Sequence, residues 1–299
     1  MLVVIPFAAP LSEAGRAALQ STTWPGLGRL LAGRRPTLDP GDELSLSPPH
    51  ERALARAWGW SGGDGQLPFA AQAARADGID TGDLAWGLLT PAHWHLGTEQ
   101  LGMTDPAALQ LAEAESRALF DAVAPLFTSE GFVARWGAPL RWYVAHESLS
   151  GLAAASVDRV IGRNVDPWLP GSAAPRLLRR LLHEVQMQLH ALPLNATRES
   201  RGLLPVNAAW LSGCGVAQPA GGAVRVDDRL RRSALAEDWS AWGTSWALLD
   251  AELAADPPAR LVLCGERASA TFDIGPGGWL QRLRGAVAPA DLRVQLEGL

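Results

Sequence analysis

The chain has 299 residues, enough to bury a full core, and 47% hydrophobic against 19% charged residues places it with ordinary globular proteins. A net charge of −5 with a pI near 5.7 excludes the chain-wide basic footprint of a nucleic-acid binder. All 26 basic residues are arginine, and 13 tryptophans stand against one tyrosine and six phenylalanines, a skew that GC-rich coding explains and that makes no motif by itself.

Taken in chain order, Leu2-Val3-Val4-Ile5 is a short apolar run closed by Pro6, the pattern of a buried parallel strand feeding a loop. No positively charged region precedes it, so it reads as a first strand and not as a signal peptide. Glu13 to Gln20 is helical in character, and Trp24 to Ala32 sets Leu27, Leu30 and Leu31 at helical spacing after a Pro25-Gly26 turn. His50 to Trp60, behind Pro48-Pro49, makes another short helical face. Gly62 to Gly65 reads as a turn, Phe69 to Ala76 as a helix and Leu84 to Thr90 as a buried strand. Ala107 to Phe127 is amphipathic: Leu109, Leu111, Leu119 and Val123 point inward, and Glu113, Glu115, Arg117 and Asp121 form the wet side.

Arg141 to Ala145 reads as a strand, Pro175 to Leu192 as a long helix with Leu178, Leu181, Val185 and Leu189 on its apolar face, and Ala208 to Leu211 as a strand ending in the turn Ser212 to Gly215. Gln218 to Gly222 is the expected linker. Ser233 to Ala255 carries Trp239, Trp242 and Trp246 on a stripe expected to pack inward, and Leu261 to Cys264 is a second buried strand closed by Gly265. Strands alternating with helices imply an α/β sheet flanked by helices. No apolar run approaches the roughly 20 residues that span a bilayer. Cys214 and Cys264 have no CxxC spacing, so no zinc or redox motif is indicated and a reduced cytoplasmic setting is expected.

Two patterns suggest recognition of an anion. Asp158-Arg159-Val-Ile-Gly162-Arg163-Asn164 sets two arginines four apart beside a glycine and an amide, which suits a phosphate or carboxylate held by forked hydrogen bonds. His93-x-His95 puts two imidazoles on one side of an extended segment, a substrate-contacting or structural pair with no visible third metal ligand. His183 and His190 share a helix face two turns apart, too distant for one metal, and are expected to be partly buried.

The order of several further pieces is familiar. Trp24 to Ala32, Asp166-Pro167, the helix from Arg176, His190-Ala-Leu-Pro193-Leu-Asn195, and Gly202-Leu-Leu-Pro205-Val-Asn207 before a strand resemble the archaeal-type cofactor-independent phosphoglycerate mutases of the alkaline-phosphatase superfamily. A closer likeness, through Thr90-Pro91-Ala92-His93-Trp94 and Ala155 to Asn164, is to the RpfE-type regulatory proteins. The resemblance implies a single domain over residues 1–299, with an alkaline-phosphatase-like, mostly parallel core and an inserted lobe at about 62–166. It adds Asp166, Asn195, Arg198 and Asn207 to Arg159, Arg163, Asn164, His93 and His95 as expected ligand contacts.

The parent chemistry needs two divalent cations held by Asp and His at strand ends. Where the family shows Asp-Gly this chain has Pro6-Phe7-Ala8, and where it shows Gly-Asp-His-Ser this chain has Gly265-Glu266-Arg267-Ala268-Ser269. No catalytic residue, metal or cofactor is therefore expected. The reading that results is a regulatory protein binding a small phosphorylated or carboxylate ligand. An active mutase or phosphotransferase with a rearranged site, and a module docking a protein partner through its Trp-rich C-terminal region, are the alternatives.

Overall fold

Strand β1 (Leu2–Ala9) forms where the apolar run predicts it, in a computed structural model that describes residues 1–97, 100–169, 174–275 and 291–299. The chain divides into unit 1, Met1–Gly59 with Ala220–Leu299, and unit 2, Trp60–Pro219. Unit 1 begins with β1, α1 (Glu13–Ser21), α2 (Pro25–Leu30), β2 (Thr37–Asp39) and α3 (Pro49–Trp58). Unit 2 follows with α4 (Phe69–Ala76), β3 (Ala85–Ala92), β4 (Trp94–Leu96), β5 (Leu101–Met103), α5 (Glu113–Thr128), β6 (Val133–Ala138), β7 (Arg141–Ala145), α6 (Arg176–Ala191), α7 (Pro193–Ser200) and β8 (Ala208–Val216). The chain returns to unit 1 with β9 (Val224–Val226), α8 (Arg231–Leu235), α9 (Trp239–Ala255), β10 (Arg260–Gly265), β11 (Ser269–Asp273) and a terminal helix, α10 (Leu292–Glu297).

Unit 1 is the α/β part. Its sheet runs β2-β11-β10-β1-β9, with β1 parallel to both β10 and β9 and with antiparallel strands completing one edge. Pleating sends Val3, Ile5, Leu261 and Leu263 to one face, where they meet Leu19, Trp242, Trp246 and Leu249; α3 packs against β1 and β10. The carboxylate of Asp250 on α9 accepts from the backbone N–H groups of Gly26 (2.8 Å) and Leu27 (2.6 Å), capping α2, which has no side-chain cap of its own.

Unit 2 is built on an antiparallel sheet, β6-β7-β3-β8, and a separate two-stranded ribbon, β4-β5. Helices α5 and α6 supply one apolar layer through Leu119, Val123, Phe127, Leu178, Leu181 and Val185, while the alanines of α4 pack with Trp86 and Tyr143 in another. The lobe boundary expected at residue 166 falls inside this unit, because α6 and β8 share its core. The chain passes from unit 2 to unit 1 between Pro219 and Ala220, within the expected linker.

Other differences have local causes. The strand expected to stop at Pro6 continues to Ala9 through a register shift, with Phe7 at φ 57°. The single helix expected over 107–127 is a short 3-10 turn, a left-handed residue at Gln110 (φ 48°) and then α5. The one expected over 233–255 breaks at Glu237 (φ 53°) and restarts under an Asp238 cap that accepts from Ala241 N–H at 3.0 Å. Ser212 to Gly215 is not a terminal turn but the bulged middle of β8. Gly213 there has φ 63°, and a Cβ on it would meet the Ala70 nitrogen at 2.8 Å, so the close approach of α4 requires glycine.

Candidate functional site

Three of the expected ligand contacts are engaged with backbone groups. Buried Asn195 donates from Nδ2 to the carbonyls of Leu189 (2.8 Å) and Val206 (2.9 Å) and accepts from Val206 N–H (2.8 Å), tying the end of α6 to the strand that follows. Arg198 has a fully buried side chain, with Nε donating to Leu204 O at 2.9 Å, one Nη to Leu109 O and the other to Glu115. Asn207 clamps the backbone of Trp94 on both sides, accepting from its N–H and donating to its carbonyl, each at 2.8 Å. All three side chains thus hold backbone, and Arg198 holds Glu115 as well.

Arg159 is buried, Arg163 and Asn164 are half-buried, and Asp166 is exposed, its N–H donating to Asn164 Oδ1 at 3.1 Å. Their segment is held by backbone contacts to β5, through Gly162 N–H to Met103 O and Val165 N–H to Leu101 O. His93 Nδ1 lies 2.9 Å from the Pro205 carbonyl, an acceptor only, so that nitrogen carries the proton. The His93 and His95 rings stack with centroids 6.2 Å apart, and His95 faces Thr104 Oγ1 at 3.3 Å.

A cleft of about 230 Å³ lies between α6 and the start of β8. Its walls are apolar, chiefly Trp94, Leu182, Trp210 and Leu211. The two indoles are tilted by 57° with centroids 6.3 Å apart; Trp210 Nε1 donates to Ala155 O at 2.9 Å, whereas the indole N–H of Trp94 is buried with no partner among the described residues. Arg179, His183 and Gln186 complete the lining. They stand at i, i+4 and i+7 of α6, one stripe of a helix whose adjacent stripe, Leu178, Leu181, Val185 and Leu189, is fully buried. Arg179 is exposed, and its guanidinium makes no hydrogen bond or ion pair with the described residues. His183 and His190 are both exposed, contrary to the partial burial expected of them, because the apolar stripe of α6 lies to their side. The sequence signal missed here was the polar stripe beside the apolar one.

In unit 1, Phe7 stands past the regular part of β1, stacked against His50 at 5.5 Å between ring centroids, with its carbonyl accepting from Trp242 Nε1 at 3.0 Å. At the end of β10, Glu266 Oε1 accepts from Leu11 N–H at 2.8 Å and Arg267 pairs with Glu43. The Leu299 carbonyl accepts from the N–H groups of Arg267 and Ala268, both at 2.7 Å. The side chains at these strand ends do not fit a pair of divalent cations: an aromatic ring stands at the first position and a carboxylate beside a guanidinium at the second. Among the described residues no group of three or more His, Cys, Asp or Glu is placed to hold a metal ion.

Titration marks structural groups only. Arg141 and Tyr143 both bond the Asp77 carboxylate, Arg141 by a two-pronged contact at 2.7 and 2.8 Å, and this holds Asp77 below the usual carboxylate range despite partial burial. Burial pushes the Cys214 thiol up to about 12 and raises Cys264 as well, so neither is a thiolate nucleophile at neutral pH. Trp242 and Trp246 are fully buried and Trp239 half-buried, as their spacing predicts, which removes the exposed tryptophan face that docking through this region would need.

The chain is thus an α/β protein with an antiparallel second unit that carries an aromatic-walled cleft. No protein-family model and no curated protein matches it. Among solved structures it is similar to a cofactor-independent phosphoglycerate mutase from Thermoplasma acidophilum DSM 1728, at 16% identity over 99% of each chain with a TM-score of 0.36. It is also similar to the PH0037 protein from Pyrococcus horikoshii, at 12% identity over 98% of this chain and 91% of that one with a TM-score of 0.45. Likenesses this remote do not carry activity or residue roles from those proteins to this one. Among the described residues no helix is long and apolar enough to cross a membrane.

Proposed function

We propose that this chain is a phosphoglycerate-mutase-like protein of the RpfE type that lacks the parent two-metal reaction and serves a regulatory role by binding a small anion. The observation that carries this reading is Phe7, a positive-φ residue past the first parallel strand where the resemblance calls for a metal-binding aspartate, its ring packed on His50. A non-glycine residue in that conformation is uncommon, and here its ring and carbonyl are engaged by His50 and Trp242. Glu266 and Arg267, at the second position, are engaged with Leu11 and Glu43. Anion binding falls to unit 2, where Arg179 is an exposed cation over an apolar cleft, with no partner among the described residues.

The test is a mutase assay on purified protein with Mn²⁺ and Mg²⁺ supplied, paired with elemental analysis. No turnover above the blank and no stoichiometric metal are expected. Turnover accompanied by two bound metals per chain would sink the reading.

A further inference from the structure

We infer that the cleft of unit 2 binds a small carboxylate carrying a flat apolar body, with Arg179 on the carboxylate and the body between Trp94, Trp210 and Leu182. The inference rests on the small-anion reading above and specifies the ligand class.

Size comes first. A volume of about 230 Å³ lies near the bottom of the range for small-molecule sites and suits a ligand on the order of ten non-hydrogen atoms. The walls then set its body: two tilted indoles and three leucines offer an apolar surface and favour a planar or branched hydrocarbon over a sugar or polyol. Polar groups come from one side only, as the Arg179, His183 and Gln186 stripe of α6, and no Asp or Glu of the described residues lines the space. Donors without a facing carboxylate call for an acceptor-rich head.

The guanidinium of Arg179 has no partner among the described residues. Trp94 is a fixed wall, because Asn207 holds its backbone N–H and carbonyl, each at 2.8 Å. A carboxylate has two oxygens matched to the guanidinium fork, and with a single arginine at the rim the site suits a monoanion better than a phosphate dianion.

The experiment is calorimetric titration of the full chain with phenylacetate, with its neutral amide phenylacetamide, with acetate, and with 3-phosphoglycerate. Phenylacetate should bind at least tenfold more tightly than phenylacetamide, which lacks the charge, and than acetate, which lacks the body. Arg179→Gln should weaken phenylacetate at least tenfold with an unchanged melting temperature, and Leu182→Trp, which fills the cleft but keeps the arginine, should abolish binding. Equal binding of acid and amide, or undiminished binding by Arg179→Gln, overturns the inference. If 3-phosphoglycerate binds and phenylacetate does not, the ligand class is wrong while the small-anion reading stands. Mutase turnover with bound metal, by contrast, overturns that reading and leaves a positive phenylacetate result intact.

Discussion

Arg198 and Arg179 belong to the same unit and to consecutive helices, yet one is sealed and the other open. Around Arg198 every group is engaged: three donors reach Leu204, Leu109 and Glu115, and Arg201 adds a second contact to the same carboxylate at 2.8 Å. Over the cleft, Arg179 stands beside apolar walls and the His183 and Gln186 side chains, with no hydrogen bond or ion pair among the described residues. An arginine buried at the depth of Arg198 must be fully bonded or it destabilises the fold, whereas an exposed one carries no such demand. Residue type therefore does not distinguish the two; the number of engaged donors does.

The largest test of that contrast is Arg198→Met, which keeps the apolar volume but leaves two carbonyls without their donor and Glu115 with Arg201 alone. It should cost roughly 3–5 kcal/mol in urea unfolding. A loss below about 1 kcal/mol would mean that Arg198 is not the structural knot described. Asn207→Ala comes next: losing both contacts to Trp94 should cost about 1–3 kcal/mol by the same measurement and slacken the indole that walls the cleft. A full-strength cleft with an unclamped Trp94, seen as unchanged phenylacetate affinity in this variant, would break the link between clamp and site. Smallest is Arg179→Gln, whose stability should stay within about 0.5 kcal/mol of wild type because nothing in the described fold depends on that side chain. A larger loss would show Arg179 to be structural and would erase the contrast.

Much of the secondary structure was legible because period and burial coincide. Phe69–Ala76 and Arg141–Ala145 form over the spans expected, and α6 over all but the ends of its span. Short pieces such as β2, β4, β5 and β9 escaped, since three residues carry no period and such strands exist only through their partners. Helix breaks at Gln110 and Glu237 escaped as well, because a left-handed non-glycine residue is imposed by packing and leaves no compositional mark. Among site residues, the sequence picked out polar groups that matter to the fold: Asn195, Arg198 and Asn207 all hold backbone. It could not show that they were committed, since their partners lie between 6 and 113 residues away.

By itself the sequence determined the α/β alternation of unit 1 and the inward face of each long helix, because side-chain periodicity is a local property. Only the tertiary structure decided that Trp60–Pro219 is one antiparallel unit, that Asn207 clamps the backbone of Trp94, and that Arg179, His183 and Gln186 face a cleft. Those outcomes depend on which distant backbone groups and apolar walls each side chain meets once the chain is folded, and hydrogen-bond saturation of buried polar groups then dictates which of them remain available.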